Sequence, residues 1–500
     1  MMRVAAILSM LHEPADANSA TRLLRNAPVL QWTIDRLRKA NGVAGIGILC
    51  WDDQLAATRM FADPGTVTVL PKGVRRAIPE LDRITVARTW SDGWRGGLHS
   101  TCAFDAGFYA PWIVELADLL KADAVLLAPP SAAMVDPQIA GALIERATCN
   151  TSLGITFSAA APGLGGAVVT RALLNTLVTH GSHPGRLLHY MPEQPMLDPV
   201  GGEGCVSVPA SVSRTRESFL IDSDRRARRF TAAAHPLNGQ LMTTGAEELA
   251  RRLSAEPADD APPRDVTIEL NTTRSTTPIY LPVRDASDAG ATLDLRAVFG
   301  LLNDLKHTDD IRLTIGGRGD PLDSPILFDV VAAARAAKVA SIHVETDLAT
   351  FDAKQIVQLA SSEVDIVSLF LPALSPDTYA TVMGTDAMKR VLDNLKTFVT
   401  VRAARGRGTP LVVPTFVKLA ANLAEMDAWY DQWLSALGVA VIVGPRALGA
   451  ARLELADMSP AMGRNAADRP LRLYLRCDGS TTTCDADVIA LSPPLETQLV

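Results

Sequence analysis

The sequence predicts an α/β protein in two parts: a mixed, mostly parallel sheet covered by helices, then a partial (βα)6 barrel. Three observations predict this. Short apolar runs alternate with helical patterns along most of the chain, as in a parallel sheet buried on both faces. The alternation is broken by Ser254–Arg264, which is Pro-rich, acidic and free of large apolar side chains, as an interdomain linker is. Beyond it the alternation restarts, with six strand candidates and a helix candidate in each gap.

In order, Val4–Leu8 reads as a first strand, and Pro28–Lys39 as a helix with Pro28 in its first turn. Gly45–Cys50, Val67–Leu70, Ala124–Leu127 and Leu153–Phe157 read as buried strands. Ala110–Lys121, Pro137–Arg146 and Val168–Thr179 carry helical patterns, and Phe104–Tyr109 a short one. Residues 181–245 read as less regular, with clustered Gly, Pro and polar residues. After the linker the strand candidates are Val266–Leu270, Ile311–Ile315, Ser341–Glu345, Ile366–Phe370, Pro410–Val413 and Val439–Val443. The helix candidates are Leu293–Lys306, Pro325–Ala337, Asp352–Leu359, Met388–Ala404 and Leu423–Leu437. The expected organisation is therefore residues 1–250, a linker at 251–265, a barrel at 266–445 and an irregular tail at 446–500 that could cap it. No repeat of solenoid period is visible.

Composition excludes several classes. Hydrophobic residues make up 48% of the 500 residues and charged residues 21%, so large cores are available. A net charge of −7 argues against phosphate neutralisation, and hence against a nucleic-acid partner. The cluster Arg225, Arg226, Arg228 and Arg229 reads as a solvated or ion-paired helix face. Six scattered cysteines (Cys50, Cys102, Cys149, Cys205, Cys477, Cys484) are no disulfide framework, and point to a reducing cytoplasm. No apolar run spans a bilayer. Met1–Met10 faintly mimics a signal peptide, but its basic segment is thin and the α/β pattern continues, so it reads as a buried strand.

Two segments carry family resemblances. The first runs from Ala27-Pro-Val-Leu-Gln-Trp-Thr-Ile-Asp-Arg-Leu37 to Ile46-Gly-Ile-Leu-Cys-Trp-Asp-Asp53, and continues in Met134-Val-Asp-Pro137. It is similar to sugar cytidylyltransferases, with their "GKPVLxxTIERL" helix, "ATDD" strand end and "TGDxPLIDP" segment. The resemblance covers roughly residues 3–245 and implies a nucleotidyltransferase-like, Rossmann-like first domain that handles a nucleotide or sugar nucleotide. The departures are substantial. The first loop offers His12, Glu13 and Asp16 but no Gly or Lys, and Ser131 falls where the family has its metal-binding Asp. Arg22 and Arg25 remain as candidate phosphate ligands beside the plainer reading of ion-paired loop arginines. Gly163-Leu-Gly-Gly166 lacks dinucleotide-binding spacing and reads as a turn. Trp94-Arg-Gly-Gly97 with His99 places a cation, an indole and an imidazole on one loop.

The second segment is Glu269-Leu-Asn-Thr-Thr-Arg-Ser-Thr-Thr-Pro-Ile-Tyr-Leu281. It resembles the radical SAM opening "ELTxxCxxxCxYC", with Arg274, Pro278 and Leu281 at the three cysteine positions. Thr314-Ile-Gly-Gly-Arg-Gly-Asp-Pro-Leu322 is similar to that family's "GGEPL" strand end, and Val344-Glu-Thr-Asp347 to its ribose-side strand end. Val364–Phe370, Ser375–Tyr379 and Met388–Leu395 continue the likeness over residues 266–404. Near the end, Arg476–Asp487 resembles the "DGxxxxC" turn of SPASM extensions, with Cys484 at the matching position and the other cysteines missing. The resemblance implies a SAM pocket through Gly316, Gly317, Asp320 and Thr346, with Asp320 at the position of the acid that takes the SAM amino group.

The residues do not support the radical chemistry. Guanidinium, pyrrolidine and isobutyl groups cannot replace thiolates, so a 4Fe-4S cluster is not expected. The sequence assigns no cofactor outright; SAM and a nucleotide are the candidate ligands. Both domains lack decisive ligands of the families they resemble. The favoured expectation is a non-redox ligand-binding or regulatory pseudoenzyme allied to bacterial polysaccharide or sugar-nucleotide metabolism, with a small-molecule or protein partner. The alternatives are an active nucleotidyltransferase using CTP or a related nucleotide, and a non-radical SAM-binding enzyme.

Overall fold

A computed structural model describes residues 2–61, 63, 65–191, 194–257, 262–281, 290–445 and 471–483. The chain divides into two compact units, Met1–Asp259 and Asp260–Val500.

The first unit is built on seven strands: β1 (Val4–Ser9), β2 (Val43–Cys50), β3 (Val67–Pro71), β4 (Ala124–Leu127), β5 (Ile155–Ser158), β6 (Ala167–Thr170) and β7 (Cys205–Val206). Their order is β3-β2-β1-β4-β6-β5-β7. β1 pairs parallel with β2 and β4 on either side, and all six of its residues are buried. β6 runs antiparallel to both β4 and β5, so the sheet is mixed. Helices α1 (Val29–Arg38), α2 (Asp52–Phe61), α3 (Pro79–Thr89), α4 (Ala110–Leu119), α5 (Pro137–Cys149) and α6 (Arg171–His180) cover it. Pro28 sits immediately before α1, where a missing N–H costs nothing. Arg36 on α1 is fully buried and donates to the carbonyls of Val135 (2.8 Å), Leu241 (2.9 Å) and Thr244 (2.9 Å). This one guanidinium satisfies acceptors that a core segment would otherwise bury unpaired.

Three sequence expectations change. The helix expected at Val168–Thr179 is strand β6 followed by α6, because Thr170 caps α6 by accepting from the Leu173 N–H. The helix expected at Phe104–Tyr109 is a 3₁₀ turn, Ala103–Asp105, and the chain leaves it through Gly107 at φ +69°. The irregular region contains α7 (Asp224–Ala234), and α8 (Ala246–Ala255) follows it and runs into the segment expected as linker. The arginine cluster lies on α7, whose buried face carries Ala227, Phe230, Ala233 and Ala234 together with Arg225.

The second unit has strands β8 (Asp265–Ile268), β9 (Arg312–Ile315), β10 (Ser341–Thr346), β11 (Ile366–Phe370), β12 (Leu411–Val417), β13 (Val441–Val443), β14 (Arg472–Leu475) and β15 (Thr481–Thr482). The order is β13-β12-β11-β10-β9-β8-β14-β15, an open sheet that is parallel except for the last pair. It is a partial barrel, not a closed one. The segment before the tail's turn adds β14 parallel to β8, with Asp265 opposite Arg472 and Ile268 opposite Leu475. Helices α9 (Leu295–Leu305), α10 (Leu327–Ala336), α11 (Ala353–Ser361), α12 (Pro376–Met383), α13 (Met388–Ala404) and α14 (Met426–Leu437) fill the crossovers. A parallel sheet of this kind gathers its strand carboxyl ends on one edge, and the loops leaving that edge hold the site.

Candidate functional site

In the second unit, β8 ends at Ile268 and delivers Glu269, which is fully buried. The Glu269 carboxylate accepts the Arg318 backbone N–H (3.0 Å) and pairs with the Arg318 guanidinium (2.8 Å). Burial works to raise this carboxyl, but the hydrogen bonds and charge of Arg318 outweigh it and hold it below the usual range. The loop after Glu269 then brings Arg274 back across the strand ends.

Arg274 is the centre of the arrangement. Its guanidinium donates to Asp347 Oδ2 (2.6 Å) and to three consecutive carbonyls, Gly317 (3.3 Å), Arg318 (3.2 Å) and Gly319 (3.0 Å). The side chain is buried, and burial alone would weaken its hold on the proton; the charges of Asp347 and Asp320 outweigh this and raise its pKa above the ordinary arginine value. Thr276 Oγ1 also donates to Asp347 Oδ2. Asp347 Oδ1 is buried with no hydrogen-bond partner among the described residues, as is the Tyr379 hydroxyl.

The sequence-predicted residues Gly316, Gly317, Asp320 and Thr346 do meet here, and each has an internal engagement. Asp320 Oδ1 accepts from the Leu322 N–H (2.9 Å), while Oδ2 accepts from the Asp347 N–H (2.8 Å) and from Thr346 Oγ1 (2.9 Å). Burial, together with the neighbouring Asp347, pushes the Asp320 carboxyl up to about 6. A Cβ on Gly316 would lie 2.5 Å from Glu345 Oε2, and one on Gly317 would lie 2.5 Å from the Tyr474 hydroxyl. The glycines are therefore required by packing within the unit. Asp347 closes the Val344–Asp347 motif but is not among the candidate site residues read from sequence; it stands just beyond the end of β10.

An iron–sulfur cluster does not fit these residues. The loop from Glu269 to Leu281 has no cysteine, and a fixed cation stands at position 274 where a soft anionic ligand would be needed. Cys477 follows β14 and is buried beside Glu269 and Arg318, whose guanidinium lies 3.6 Å from its sulfur. Burial, then the Glu269 charge, pushes this thiol up to about 12, so it stays protonated near neutrality. Cys484 and Asp487, with most of the tail expected at 446–500, lie outside the described residues. Among the described residues no group of three or more His, Cys, Asp or Glu side chains is arranged to hold a metal ion.

In the first unit, Arg22 and Arg25 are both taken up by α7. Arg22 is buried and ion-paired with Asp224, and Arg25, at φ +55°, donates to the Ala234 carbonyl at the helix's end. Ser131 is buried, and its carbonyl accepts from the Ile221 N–H at 2.8 Å. A neutral hydroxyl there does not supply the anionic oxygen that magnesium requires.

The loop leaving β1 holds two adjacent groups with opposed titration. Burial pushes His12 down to about 4 and Glu13 up to about 7, against the hydrogen bonds Glu13 accepts from Ser19. The His12 ring is partly exposed at one edge while its Nδ1 is buried beneath Gly107. The unfolded chain takes up a proton at His12 before the native one does, so its contribution is full above about pH 6.5 and is lost as pH falls towards 4. Glu13 behaves oppositely: its contribution is full below about pH 4.5 and is lost as pH rises through 7. Relative to wild type, Glu13→Gln is expected to make stability climb more steeply with pH between 4 and 6.5, and His12→Asn to make it fall between 4.5 and 7. Each change amounts to roughly 2–3 kcal/mol across its window. Urea unfolding at a series of pH values checks both slopes.

No helix among the described residues is long and apolar enough to cross a membrane. No protein-family model matches the sequence, and no curated protein matches it. Among solved structures, a cytidylyltransferase from Leptospira borgpetersenii serovar Hardjo-bovis aligns with a TM-score of 0.37 at 11% identity, covering 51% of this chain and 95% of that one. Streptococcus suis SuiB aligns with a TM-score of 0.37 at 11% identity, covering 52% of this chain and 72% of that one. BtrN, solved with AdoMet and 2-DOIA, aligns with a TM-score of 0.26 at 15% identity, covering 45% and 74%. The structural neighbours thus include a cytidylyltransferase and radical SAM enzymes, at low identity and over part of this chain.

Proposed function

We propose that this chain is a non-redox binding or regulatory protein, with a nucleotidyltransferase-like first unit and a radical SAM-like second unit that performs no radical chemistry. The observation that supports it is Arg274. At the strand ends, where the resemblance places a cluster, stands a buried guanidinium with an acid and three carbonyls as internal partners. A guanidinium carries no transferable electron, and the hard step of SAM cleavage belongs to a redox cofactor. The ligand class that fits the reading is a nucleotide or sugar nucleotide, or SAM itself, with a protein partner as the remaining option.

The test is direct. Protein made anaerobically with iron and sulfide supplied is expected to be colourless, without stoichiometric iron, and unable to cleave SAM. A brown preparation with stoichiometric iron and sulfide would falsify the reading. Calorimetry with CTP, CDP-sugars and SAM, with and without magnesium, then separates the ligand classes. Magnesium-dependent pyrophosphate release from CTP and a sugar phosphate would instead establish an active nucleotidyltransferase, in which Arg22 or Arg25 leaves its present partner. Binding of nothing small would favour a scaffold for another protein.

A further inference from the structure

A second polar centre lies in the first unit, in the segment that follows the Trp94–Gly97 loop. Asp105 is fully buried and accepts three hydrogen bonds: from the Cys102 N–H (2.7 Å), from the Gly185 N–H (3.0 Å) and from His183 Nδ1 (3.0 Å). Burial works to raise this carboxyl, but His183 and the backbone donors outweigh it and keep it ionised. An ionised acid held by two amides fixes the imidazole ring, with Nδ1–H donated to Asp105 and Nε2 facing away. His183 is 2% exposed, and its Nε2 is buried with no hydrogen-bond partner among the described residues.

That ring lines a cavity of about 120 Å³, shared with Glu80, Arg83, His99 and Tyr109. The His99 ring lies 5.7 Å from that of His183, centroid to centroid, and Arg186 Nη2 lies 3.2 Å from His99 Nε2. Arg83 Nε is also buried without a hydrogen-bond partner among the described residues. Burial, then the charge of Arg83, lowers the pKa of Arg186, so the two guanidiniums are close enough to repel. His99 and Ser100 both lie at φ +58°, and two successive non-glycine residues in the left-handed region are held there against their preference. Glu80 is the acid in the lining, and it is partly exposed.

The buried Arg83 N–H is a donor without a partner, and the unpaired His183 Nε2 becomes a second donor when the ring is protonated beside the Asp105 carboxylate, so the two together suit a partner that accepts hydrogen bonds and carries negative charge. We infer that the cavity bounded by His183, Arg83 and His99 binds a small oxyanion group, carboxylate or phosphoryl, with His183 Nε2–H and the Arg83 guanidinium as its donors. Asp105 is the positioning residue: it offsets the charge of the imidazolium that the bound anion needs. The site takes a small free anion or the anionic end of a larger ligand.

The test uses the whole chain and two probes, inorganic phosphate and acetate, at ionic strength matched with chloride. Thermal unfolding and titration calorimetry are the readouts. One equivalent of at least one probe is expected to bind and to raise Tm over the chloride control. Arg83→Gln and His183→Leu are each expected to weaken that binding tenfold or more and to reduce the Tm rise accordingly, while Arg38→Gln, on α1, leaves both unchanged. Phosphate alone binding assigns a phosphoryl site, and acetate alone a carboxylate site. Neither probe binding at 10 mM (about one hundredfold above the 0.1 mM scale of a modest site), or Arg83→Gln binding as wild type does, would overturn the inference. If His183→Leu fails to fold, Arg83→Gln decides the matter alone.

Discussion

Arg274→Met is expected to destabilise the second unit by about 3–5 kcal/mol, the usual consequence of removing one partner from a buried ion pair. The substitution keeps much of the side-chain volume and removes every donor. Asp347 is then left buried with Thr276 as its remaining side-chain donor, and Asp320 stays beside it with its carboxyl already pushed up to about 6. Three carbonyls, at Gly317, Arg318 and Gly319, lose their guanidinium partner together. The deficit should grow from acid towards neutral pH. With the cation gone, the already raised Asp320 carboxyl holds its proton more tightly still in the native state, and stability is lost as pH rises through that raised value. Arg274→Lys keeps the charge but cannot reach four acceptors in one plane, so it should fall between. Adding Asp347→Asn to Arg274→Met should recover about 1 kcal/mol or more, which a double-mutant cycle reads as coupling (on the order of 0.5–3 kcal/mol for groups in contact). Hydrogen exchange resolved along the chain separates the second unit's unfolding from the first. An Arg274→Met variant within ~1 kcal/mol of wild type would mean the guanidinium is not an internal brace, and would turn attention to a ligand as its partner.

Much of the fold was legible because its signal is local. The run Val266–Leu270 and the helix Met388–Ala404 declare themselves by apolar content and spacing. The misreadings came where a tertiary partner decided the outcome. Val168 and Val169 fit a helix or a strand by composition; they pair with Leu126 and Val125 of β4, and so are strand. The arginine cluster on α7 reads as a solvated or ion-paired helix face; Arg226 does pair with Asp92 and Asp222, but Arg225 is buried, which the local sequence does not show. The strand β14 could not be placed by sequence order, because it returns to the sheet beside β8 from more than two hundred residues away.

The candidate site was legible in a different sense. Reading Arg274 at a cysteine position was enough to question the redox chemistry, because that inference concerns which atoms are present. What those atoms do instead needed geometry. Nothing local links Arg274 to Asp347, 73 residues on, or Asp105 to His183, 78 residues on. Likewise the glycines at 316 and 317 looked like room for a ligand, whereas their neighbours Glu345, Glu269 and Tyr474 already fill that room.

Close packing around this loop also sets the second large effect. Gly319→Ala is expected to cost the second unit roughly 3 kcal/mol, at the upper end for overpacking, with no ligand present. An added Cβ would lie 1.8 Å from Asn271 Oδ1, 2.3 Å from the Asn271 carbonyl oxygen and 2.7 Å from its carbonyl carbon. The amide side chain can swing away from such a clash, but the backbone cannot do so alone. The Asp320 N–H donates to the Thr273 carbonyl (2.8 Å), Asn271 Nδ2 donates to the Asp320 carbonyl (3.1 Å), and Arg274 holds the Gly319 carbonyl (3.0 Å). A methyl group must therefore push the two loops apart and strain all three bonds. Gly300, in α9, is the internal control, because a methyl group added there would meet nothing within 4 Å. Gly300→Ala should stabilise the same unit by about 0.5–1 kcal/mol through helix propensity. Chemical unfolding of the two variants side by side, without added ligand, reads the difference directly. Equal effects at the two positions would show that the Asn271 and Gly319 loops are not in contact in solution, and the brace around Arg274 would lose its frame.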